Sequence, residues 1–304
     1  MEKRLNTLGV IILNYNTPEL CIRLSKQIDS FDTGAGIYVI DNCSTDDSKK
    51  RLTDSLKNEA NIYLHFCENN TGYANGNNEG IQFAVHNNQQ IDTILIINPD
   101  IEIDSADVLY RMFDCLHTGS EIGALTVKTI YNGTIREPND CAWKFMTRRY
   151  MAFGGTLLGK LFVRSLKYNE LTAQQNNLAY ADVVQGCFFM IKRSVFEQVE
   201  WFDSHTFLYT EESILAKKLQ KVGYVNGVLT DLYIRHNHKE KSRKLIKYKN
   251  KLFDMKCYYF SRKYYIRNYS GERKWFVLFA CGFLTMDHWI KRIILWFKTI
   301  GRKK

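Results

Sequence analysis

Unbroken hydrophobic runs recur along the first third of the chain, and each run ends in a polar stretch. They occupy residues 9–13, 37–40 and 94–97, and residues 62–66 form a further run that contains His65. A run of β-branched and aliphatic residues without polar alternation predicts a strand that is buried on both faces, as in a parallel sheet. These four runs therefore predict neighbouring strands of one buried sheet.

Helical spacing separates the runs. Thr17 is predicted as an N-cap with Pro18 at the first helical position, before apolar residues at Leu20, Leu24 and Ile28. A later helix is predicted from the spacing of Leu109, Met112, Phe113 and Leu116. Alternating strands and helices predict an α/β fold with a mainly parallel sheet flanked by helices.

The second half of the chain is less regular. A strand is predicted over residues 122–130, and residues 131–180 are predicted to be an irregular excursion from the sheet. Residues 183–193 predict a pair of apolar strands. A helix then follows from an N-cap at Thr210 to Gly223.

The end of the fourth run carries the first candidate chemistry. Pro99 has no N–H for a ladder, so the chain must leave the sheet there, and Asp100 lies at the carboxyl end of the strand. Ligands of open α/β sheets bind at this edge, and a carboxylate there suits Mg²⁺ or Mn²⁺. The alternative is an Asp that only stabilises a turn.

Two further motifs have a structural and a functional interpretation. Gly72, Gly76 and Gly80 would line one face of a helix, which allows close approach either of another backbone or of a diphosphate. Glu211 and Glu212 begin the helix after Thr210, where they either compensate the helix dipole or supply a general base.

Composition adds a charge asymmetry. The 304 residues are 45% hydrophobic and 24% charged, which is typical of a folded protein. Residues 1–234 carry 22 Lys and Arg against 28 Asp and Glu, a net of −6, whereas residues 235–304 carry 20 against 4, a net of +16. The basic block therefore predicts an anionic partner for the C-terminal quarter alone.

The cysteines and the N-terminus indicate a reducing compartment. Eight cysteines are scattered without a C-x-x-C pair, so a zinc site and a disulfide framework are not predicted. The first residues lead into a strand without the apolar segment of a signal peptide.

Taken in order, the motifs resemble glycosyltransferase family 2, in the branch of bacterial rhamnosyl- and galactosyltransferases of surface-polysaccharide synthesis. The resemblance covers residues 9–242. Its landmarks are Val10-Ile-Ile-Leu-Asn-Tyr-Asn, Val39-Ile-Asp-Asn-Cys-Ser-Thr-Asp, Asn69-Asn-Thr-Gly-Tyr-Ala-Asn-Gly-Asn-Asn-Glu-Gly, Asn98-Pro-Asp, Gly186-Cys-Phe-Phe, Phe202-Asp and Tyr209-Thr-Glu-Glu.

The resemblance implies a GT-A domain over residues 1–238, a nucleotide-sugar donor, Mn²⁺ or Mg²⁺, and inversion at the anomeric carbon. It implies that Asp100 and His236 bind the metal, and that Glu212, with Glu211 as the alternative, is the base. Asp41 is implied to bind a pyrimidine base. The other implied nucleotide-sugar residues are Asn14, Tyr15, Asn16, Asn70, Gly72, Asn75, Asn78 and Asn98.

Three positions depart from the family pattern. Asn98 replaces an acid, Glu212 is one methylene longer than the usual Asp, and Ile214 stands where the family usually has an Asp. These changes keep a second function open, that of a non-catalytic subunit that recruits an active glycosyltransferase to the membrane. A sugar-nucleotide-forming nucleotidyltransferase fits less well, because the N-terminus lacks a Gly-rich phosphate loop.

Residues 239–304 are predicted to be a basic helical region. Residues 275–286 are nearly all apolar, but these twelve are too few to span a bilayer. The next segment places Trp289, Ile293 and Trp296 on one side and Lys291, Arg292, Lys298 and Arg302 on the other. This pattern predicts a helix at the inner face of the cell membrane, near a saccharide or polyprenyl-linked acceptor.

The alternative for this helix is packing on the core or in a homo-oligomer. Nucleic acid is not predicted as a partner, because no RNA- or DNA-binding motif accompanies the basic block.

Overall fold

The computed structural model describes residues 4–119, 121–135, 140–237 and 248–300. The strands are β1 (Leu8–Asn14), β2 (Gly36–Asp41), β3 (Ile62–Phe66), β4 (Thr93–Ile97), β5 (Ile101–Glu102), β6 (Ile122–Tyr131), β7 (Thr134–Ile135), β8 (Ala142–Trp143), β9 (Leu178–Ala181), β10 (Val183–Val184), β11 (Phe188–Lys192) and β12 (Val225–His236). The helices are α1 (Pro18–Asp29), α2 (Ser48–Leu56), α3 (Gly72–Asn87), α4 (Asp107–Thr118), α5 (Arg148–Phe153), α6 (Gly159–Phe162), α7 (Arg193–Gln198), α8 (Glu211–Lys221), α9 (Tyr248–Asn268) and α10 (Lys274–Ile300).

The main sheet has the strand order β3-β2-β1-β4-β11-β6-β12-β5. Its first four strands are parallel, with β1 between β2 and β4. The predicted α/β class with a parallel sheet flanked by helices is confirmed here. Strand β4 is buried throughout, but only its β1 side is parallel, because β11 pairs antiparallel on its other side.

The predicted strand pair over residues 183–193 is corrected. Residues 183–184 and 188–192 are both strands, but they belong to different sheets. The chain turns between them, so β10 pairs with β8 while β11 enters the main sheet between β4 and β6. The turn at residues 185–187 is thereby held at the edge where Asn98 leaves the sheet.

The glycine stripe brings α3 onto the sheet. A Cβ on Gly76 would lie 2.9 Å from Leu13 Cδ1, and one on Gly80 would lie 2.6 Å from Ile40 Cγ1. Real Cβ atoms do not approach that closely, so any larger residue would push the helix away. For these two glycines, the packing interpretation is correct.

The C-terminal helices dock on the domain. Helix α10 packs along α9 and α5, and Ile214 of α8 is fully buried in their shared apolar cluster. The remaining buried members of the cluster are Met151, Ala152, Tyr259, Tyr265, Ile266, Phe276, Ala280, Cys281 and Leu284. Ile214 therefore acts as core, which explains an apolar residue at that position. The predicted boundary at residues 238 and 239 lies outside the described residues.

Asp203 makes a second attachment. Its carboxylate accepts hydrogen bonds from the hydroxyls of Tyr264 and Tyr269 and from the backbone N–H of His205. Burial alone would raise the pKa of Asp203, but these hydrogen bonds from Tyr269, His205 and Tyr264 lower it below its usual value. The charged carboxylate thus ties α9 and the turn after it to the loop before α8.

Candidate active site

Asp41 lies at the end of β2, where its carboxylate joins two loops. Asn14 Nδ2 donates to Asp41 Oδ1 over 2.6 Å, and the Ser44 hydroxyl donates to the same oxygen over 2.6 Å. The Ser44 N–H donates to Oδ2 over 3.1 Å, which leaves acceptor capacity on that oxygen. Asn14 and Asp41 are therefore together as predicted, and Ser44 completes the group.

The loop after β1 is fastened to the loop after β2. The Asn16 N–H donates to Ser44 Oγ over 2.9 Å, and Asn16 Oδ1 accepts from the Thr45 N–H over 2.8 Å. Tyr15, which lies between Asn14 and Asn16 in the sequence, is exposed, and its side chain takes no part in these hydrogen bonds between the two loops. Its ring is available to a ligand at this edge, whereas Asn14 and Asn16 shape the loop.

Asn42, which the sequence analysis did not single out, links this edge to α3. It is buried, and its Nδ2 donates to Asn70 Oδ1 over 3.1 Å and to the Gly72 carbonyl over 3.0 Å. Asn70 Oδ1 also accepts from the Gly72 N–H. Asn70 thus supports the start of α3. The only sequence signal for Asn42 was its position inside the motif that begins at Val39.

Three other predicted nucleotide residues contact the loop before α8. Asn78 forms a reciprocal pair with the backbone of Phe202, over 2.9 and 3.1 Å, and Asn75 Nδ2 donates to the Ser204 carbonyl over 3.0 Å. Gly72 has φ +87°, and a Cβ there would meet the Phe207 carbonyl oxygen at 2.2 Å. All three residues therefore contact the loop at residues 202–207. Because this loop leads into α8, these contacts help to position Glu211 and Glu212 at the start of that helix.

Asp100 and His236 come together across the sheet edge. His236 ends β12, where it pairs with Ile101 of β5, and its Nε2 lies 3.2 Å from Asp100 Oδ2. The imidazole is buried, while the Asp100 side chain is a quarter exposed. A carboxylate oxygen and an imidazole nitrogen at this spacing fit one divalent cation, with positions left for other ligands. Asn98 lies beside them, and its N–H donates to the Cys187 carbonyl.

Glu212 faces a cavity of about 410 Å³ at the start of α8. A Cβ on Gly186 would lie 2.7 Å from Glu212 Oε1, so a larger residue at position 186 would displace this carboxyl. Burial raises the pKa of Glu212, although hydrogen bonds from its own N–H and that of Gly186 oppose the shift. A carboxyl with a raised pKa inside a cavity is suited to accept a proton.

Glu211 points elsewhere. It is buried and does not line the cavity, and its Oε1 has no hydrogen-bond partner among the described residues. Burial, and then the charge of Glu212, raise the pKa of Glu211 to about 8. Of the two predicted acids, only Glu212 is placed to reach a molecule in the cavity.

The chain enters α8 through a strained turn. Tyr209 and Thr210 both have φ +75°, and Thr210 occupies the predicted N-cap position without a side-chain capping bond. Left-handed backbone at a β-branched residue is costly and is kept only where the surroundings enforce it. The turn directs the two adjacent acids to different surroundings.

Residues of the C-terminal helix α9 help to line the cavity. Tyr258 and Arg262 of α9 face Glu212 across it, and its other walls come from residues 140–167 and the start of α8. Arg262 donates to the carbonyls of Tyr150, Met151 and Gly154, which caps the C-terminus of α5. No sequence motif indicated these two residues. The full lining is Asp140, Ala142, Trp143, Met146, Tyr150, Ser165, Leu166, Lys167, Tyr209, Thr210, Glu212, Ser213, Tyr258 and Arg262.

The turn at residues 185–187 connects the two parts of the site. The Tyr73 hydroxyl donates to the Gly186 carbonyl over 2.7 Å, and the Cys187 carbonyl accepts from Asn98. Burial raises the pKa of the Cys187 thiol, and the nearby charges of Asp100 and Glu212 raise it further. The segment that carries Asp100 and the carboxyl of Glu212 therefore both adjoin one short turn.

Within the described chain, one group of three side chains brings metal-ligating atoms together apart from this site. Atoms of His65, Cys67 and Glu79 lie within 4.8 Å of one another. His65 Nε2 is 2.7 Å from Glu79 Oε1 and the ring stacks on Phe83. The hydrogen bond between His65 and Glu79 and the ring stacking already account for this arrangement.

The fold is an α/β domain with polar residues at the carboxyl ends of its parallel strands and an acidic residue, Glu212, in a cavity. Residues 10–200 match the profile of glycosyl transferase family 2, and the chain belongs to this family. The predicted family is therefore confirmed.

Individual relatives agree with that assignment. The low-salt glycan biosynthesis hexosyltransferase Agl10 of Haloferax volcanii is 26% identical over 213 residues, which are 69% of this chain and 61% of Agl10. The chain thus aligns with less than two thirds of that relative.

Two solved structures show the GT-A fold. One is the mannosyltransferase PcManGT of Pyrobaculum calidifontis in complex with GDP-Man and Mn²⁺, which superposes with a TM-score of 0.56 at 15% identity. The match covers 95% of this chain and 72% of the PcManGT chain. GalNAc-T7 with UDP, GalNAc and Mn²⁺ has a TM-score of 0.61 at 13% identity, covering 86% of this chain and 50% of its own.

Proposed function

We propose that the chain is an inverting, metal-dependent glycosyltransferase that moves a sugar from a nucleoside-diphosphate sugar to a saccharide acceptor. The observation that carries this proposal is that the turn at residues 185–187 contacts both the Asn98-Pro-Asp100 segment, through the Cys187 carbonyl, and the carboxyl of Glu212, at Gly186. Asp100 lies at the edge formed by the carboxyl ends of β1, β2 and β4, which we call the nucleotide edge. Glu212 faces a cavity large enough for a sugar. Both groups that a single displacement needs are present.

The donor is assigned to the edge formed by β1, β2 and β4. Asp41 Oδ2 retains capacity to accept a hydrogen bond from a base, and exposed Tyr15 offers a ring beside it. The two solved structures contain GDP-Man with Mn²⁺ and UDP with Mn²⁺, respectively. We assign a pyrimidine nucleotide to this chain from the motif resemblance alone.

Asp100 and His236 would hold the metal ion. An imidazole beside a carboxylate favours Mn²⁺ over Mg²⁺, since Mg²⁺ prefers oxygen donors alone. When bound, the ion would neutralise charge on the departing diphosphate.

Glu212 is the proposed base. It takes the proton of the acceptor hydroxyl as that oxygen forms its bond to the anomeric carbon, while the bond from that carbon to the diphosphate oxygen breaks. The products are the inverted glycoside, the nucleoside diphosphate and the protonated Glu212. Gly186 keeps the carboxyl in place through its N–H.

The acceptor is proposed to be lipid-linked and to serve surface-polysaccharide synthesis at the inner face of the cell membrane. Within the described residues, no helix has both the length and the apolar character to cross a membrane. Helix α10 nevertheless exposes Trp275, Trp289 and Trp296, which is typical of helices that lie in the membrane interface. Assignment to the bacterial rhamnosyl- and galactosyltransferase branch rests on motif spacing.

Thermal-shift titration with UDP, dTDP, GDP and CMP, each with and without Mn²⁺, tests this function. Stabilisation by one pyrimidine diphosphate that requires Mn²⁺ is expected, because a ligand of the native state raises its stability. Asp100→Asn should abolish this Mn²⁺-dependent stabilisation, and Mn²⁺ binding can be followed separately by electron paramagnetic resonance. A protein that binds no nucleotide and hydrolyses no donor would instead be the non-catalytic subunit.

A further inference from the structure

A second segment of the chain exposes apolar side chains beside α10. Residues 157–162 form a short turn and α6, and Leu161 is 77% exposed there. The other exposed apolar residues of this segment are Leu157, Leu158 and Phe162. On α10 the exposed apolar residues are Trp275, Leu278, Phe279, Met286, Trp289, Ile290, Ile293, Ile294, Trp296 and Phe297. A contiguous surface of this size usually meets a partner or a membrane.

Ring contacts join the two sets. The Phe153 ring centroid lies 4.9 Å from that of Phe283, 6.2 Å from that of Phe279 and 5.0 Å from that of Phe162. Phe153 thus bridges α10 and α6. Phe279 is itself half exposed, so the contact continues into the open apolar face.

A buried polar network fixes the segment to α10. The Leu157 N–H donates to Asp287 Oδ1 over 2.9 Å, and Lys291 Nζ donates to the Gly155 carbonyl over 2.5 Å. The Tyr259 hydroxyl of α9 bonds the other oxygen of Asp287. Asp287 and Lys291 continue the row of Phe279 and Phe283 at four-residue spacing along α10. The segment therefore lies on the flank of the exposed apolar stripe.

We propose that residues 157–162 and α10 form one docking surface for an anionic lipid bilayer. This proposal rests on the membrane placement given under the proposed function and extends it to a second element. Charge favours a membrane over a second copy, because residues 235–304 carry a net of +16 and would repel their counterpart. The same charge attracts acidic headgroups, and Arg292 stacks over Trp289 beside the apolar face.

The surface also explains how a lipid-linked acceptor reaches Glu212. Tyr150 of α5 lines the cavity, and Phe153 of the same helix contacts the apolar surface through Phe162 and Phe279. Three residues of helix advance about 4.5 Å. The cavity wall at Tyr150 thus lies about one helical turn along α5 from Phe153, and in the proposed orientation an acceptor would reach the cavity while its chain stays in the bilayer.

Vesicle co-sedimentation of the full chain tests the proposal. Vesicles of phosphatidylcholine with phosphatidylglycerol are compared with phosphatidylcholine alone, for the wild type, the double variant Leu158→Glu and Leu161→Glu, and Trp289→Glu. We expect both variants to lower partitioning onto the anionic vesicles by about tenfold or more, since each removes apolar area that the bilayer would otherwise bury. Val222→Glu, an exposed apolar position at the far end of α8, should bind as the wild type does.

The outcomes separate this inference from the function. If Trp289→Glu weakens binding and the double variant does not, the role of residues 157–162 is wrong while the placement of α10 stands. If the wild type binds no vesicle, both membrane assignments fall, but nucleotide binding is unaffected by that result. Sedimentation velocity without lipid adds a third arm, because a wild-type dimer that the double variant dissociates would assign the face to self-association.

Hydrogen exchange with and without vesicles gives a readout that does not depend on folding of the variants. Peptides across residues 156–163 and α10 of the wild type should both gain protection on anionic vesicles. Protection of α10 alone would overturn the proposal. Nucleotide-induced thermal shifts of each variant verify that its catalytic domain remains folded.

Discussion

The nucleotide edge and the cavity differ in how they are built. At the nucleotide edge, Asn14 and Asp41 end two neighbouring parallel strands, and Ser44 lies in the loop that follows Asp41. The cavity gathers residues from Asp140 to Arg262 and depends on α9, which follows the family domain in sequence. Strand ends in a parallel sheet bring short motifs together by topology, whereas the cavity exists only through long-range packing.

Glu212→Gln should have the largest effect and should separate the two regions. Loss of a general base typically lowers kcat by about 10²- to 10⁴-fold, while donor binding at the distant Asp41 should be unchanged. Rates are measured by sugar transfer and binding by nucleotide thermal shift. Because the pKa of Glu212 is raised, the kcat of the wild type should rise with pH over a range above that of an ordinary carboxyl group.

Glu211→Gln is the matched control for that substitution, because its side chain does not face the cavity. It should retain most of the wild-type kcat. An active Glu212→Gln protein beside an inactive Glu211→Gln protein would reverse the assignment of the base.

Ile214→Ala should loosen the tail from the domain. Truncation of a fully buried Ile costs about 2–4 kcal/mol, and here the lost contacts are those with α9 and α10. We expect a lower midpoint in urea together with faster hydrogen exchange in both C-terminal helices.

Leu215→Ala provides the comparison, since the next residue of α8 is buried on the side of the sheet. It should destabilise the protein while leaving exchange in α9 and α10 slower than in the Ile214 variant. Equal exchange in the two variants would show that Ile214 has no special part in docking.

Much of the nucleotide edge was predictable because its signals are local. Strand runs, the proline at residue 99 and the order of motifs placed Asn14, Asp41 and Asp100 at one edge, as found. The glycines left two interpretations, and Gly76 and Gly80 required the neighbouring side chains of β1 and β2 to decide between them. The pairing of β10 with β8 was missed, since two-residue strands have no periodicity.

The cavity was not predictable for a related reason. Tyr258 and Arg262 lie in a basic aromatic stretch whose spacing indicates only a helix. Their role depends on Ile214 and Asp203, which fix α9 against the domain. The Asp203 motif was recognised, but nothing local showed that its partners are Tyr264 and Tyr269.

Asp41→Asn should weaken binding of the nucleotide donor without changing the structure of the cavity. The amide cannot accept all the hydrogen bonds that Asn14 and Ser44 donate to the carboxylate, so the two loops lose a charge-assisted contact. We expect nucleotide affinity to fall by about tenfold. Titration calorimetry measures it, with Asp54→Asn on the exposed face of α2 as the control. Unchanged affinity would remove Asp41 from the nucleotide site.

Glu211→Gln should have the smallest effect, a change in stability that depends on pH. The pKa of Glu211 is about 8 in the folded protein against 4.5 ordinarily, so between these values the folded state holds a proton that the unfolded state releases. Wild-type stability therefore decreases as pH rises through this window, and the neutral Gln removes that decrease. The Tm of the variant should exceed that of the wild type by at least about 2 °C at pH 8 and by less at pH 5. Glu170→Gln, at an exposed position, should follow the wild type at every pH. A constant difference between Glu211→Gln and the wild type would mean that Glu211 is charged throughout, and that burial at the start of α8 does not separate the two acids.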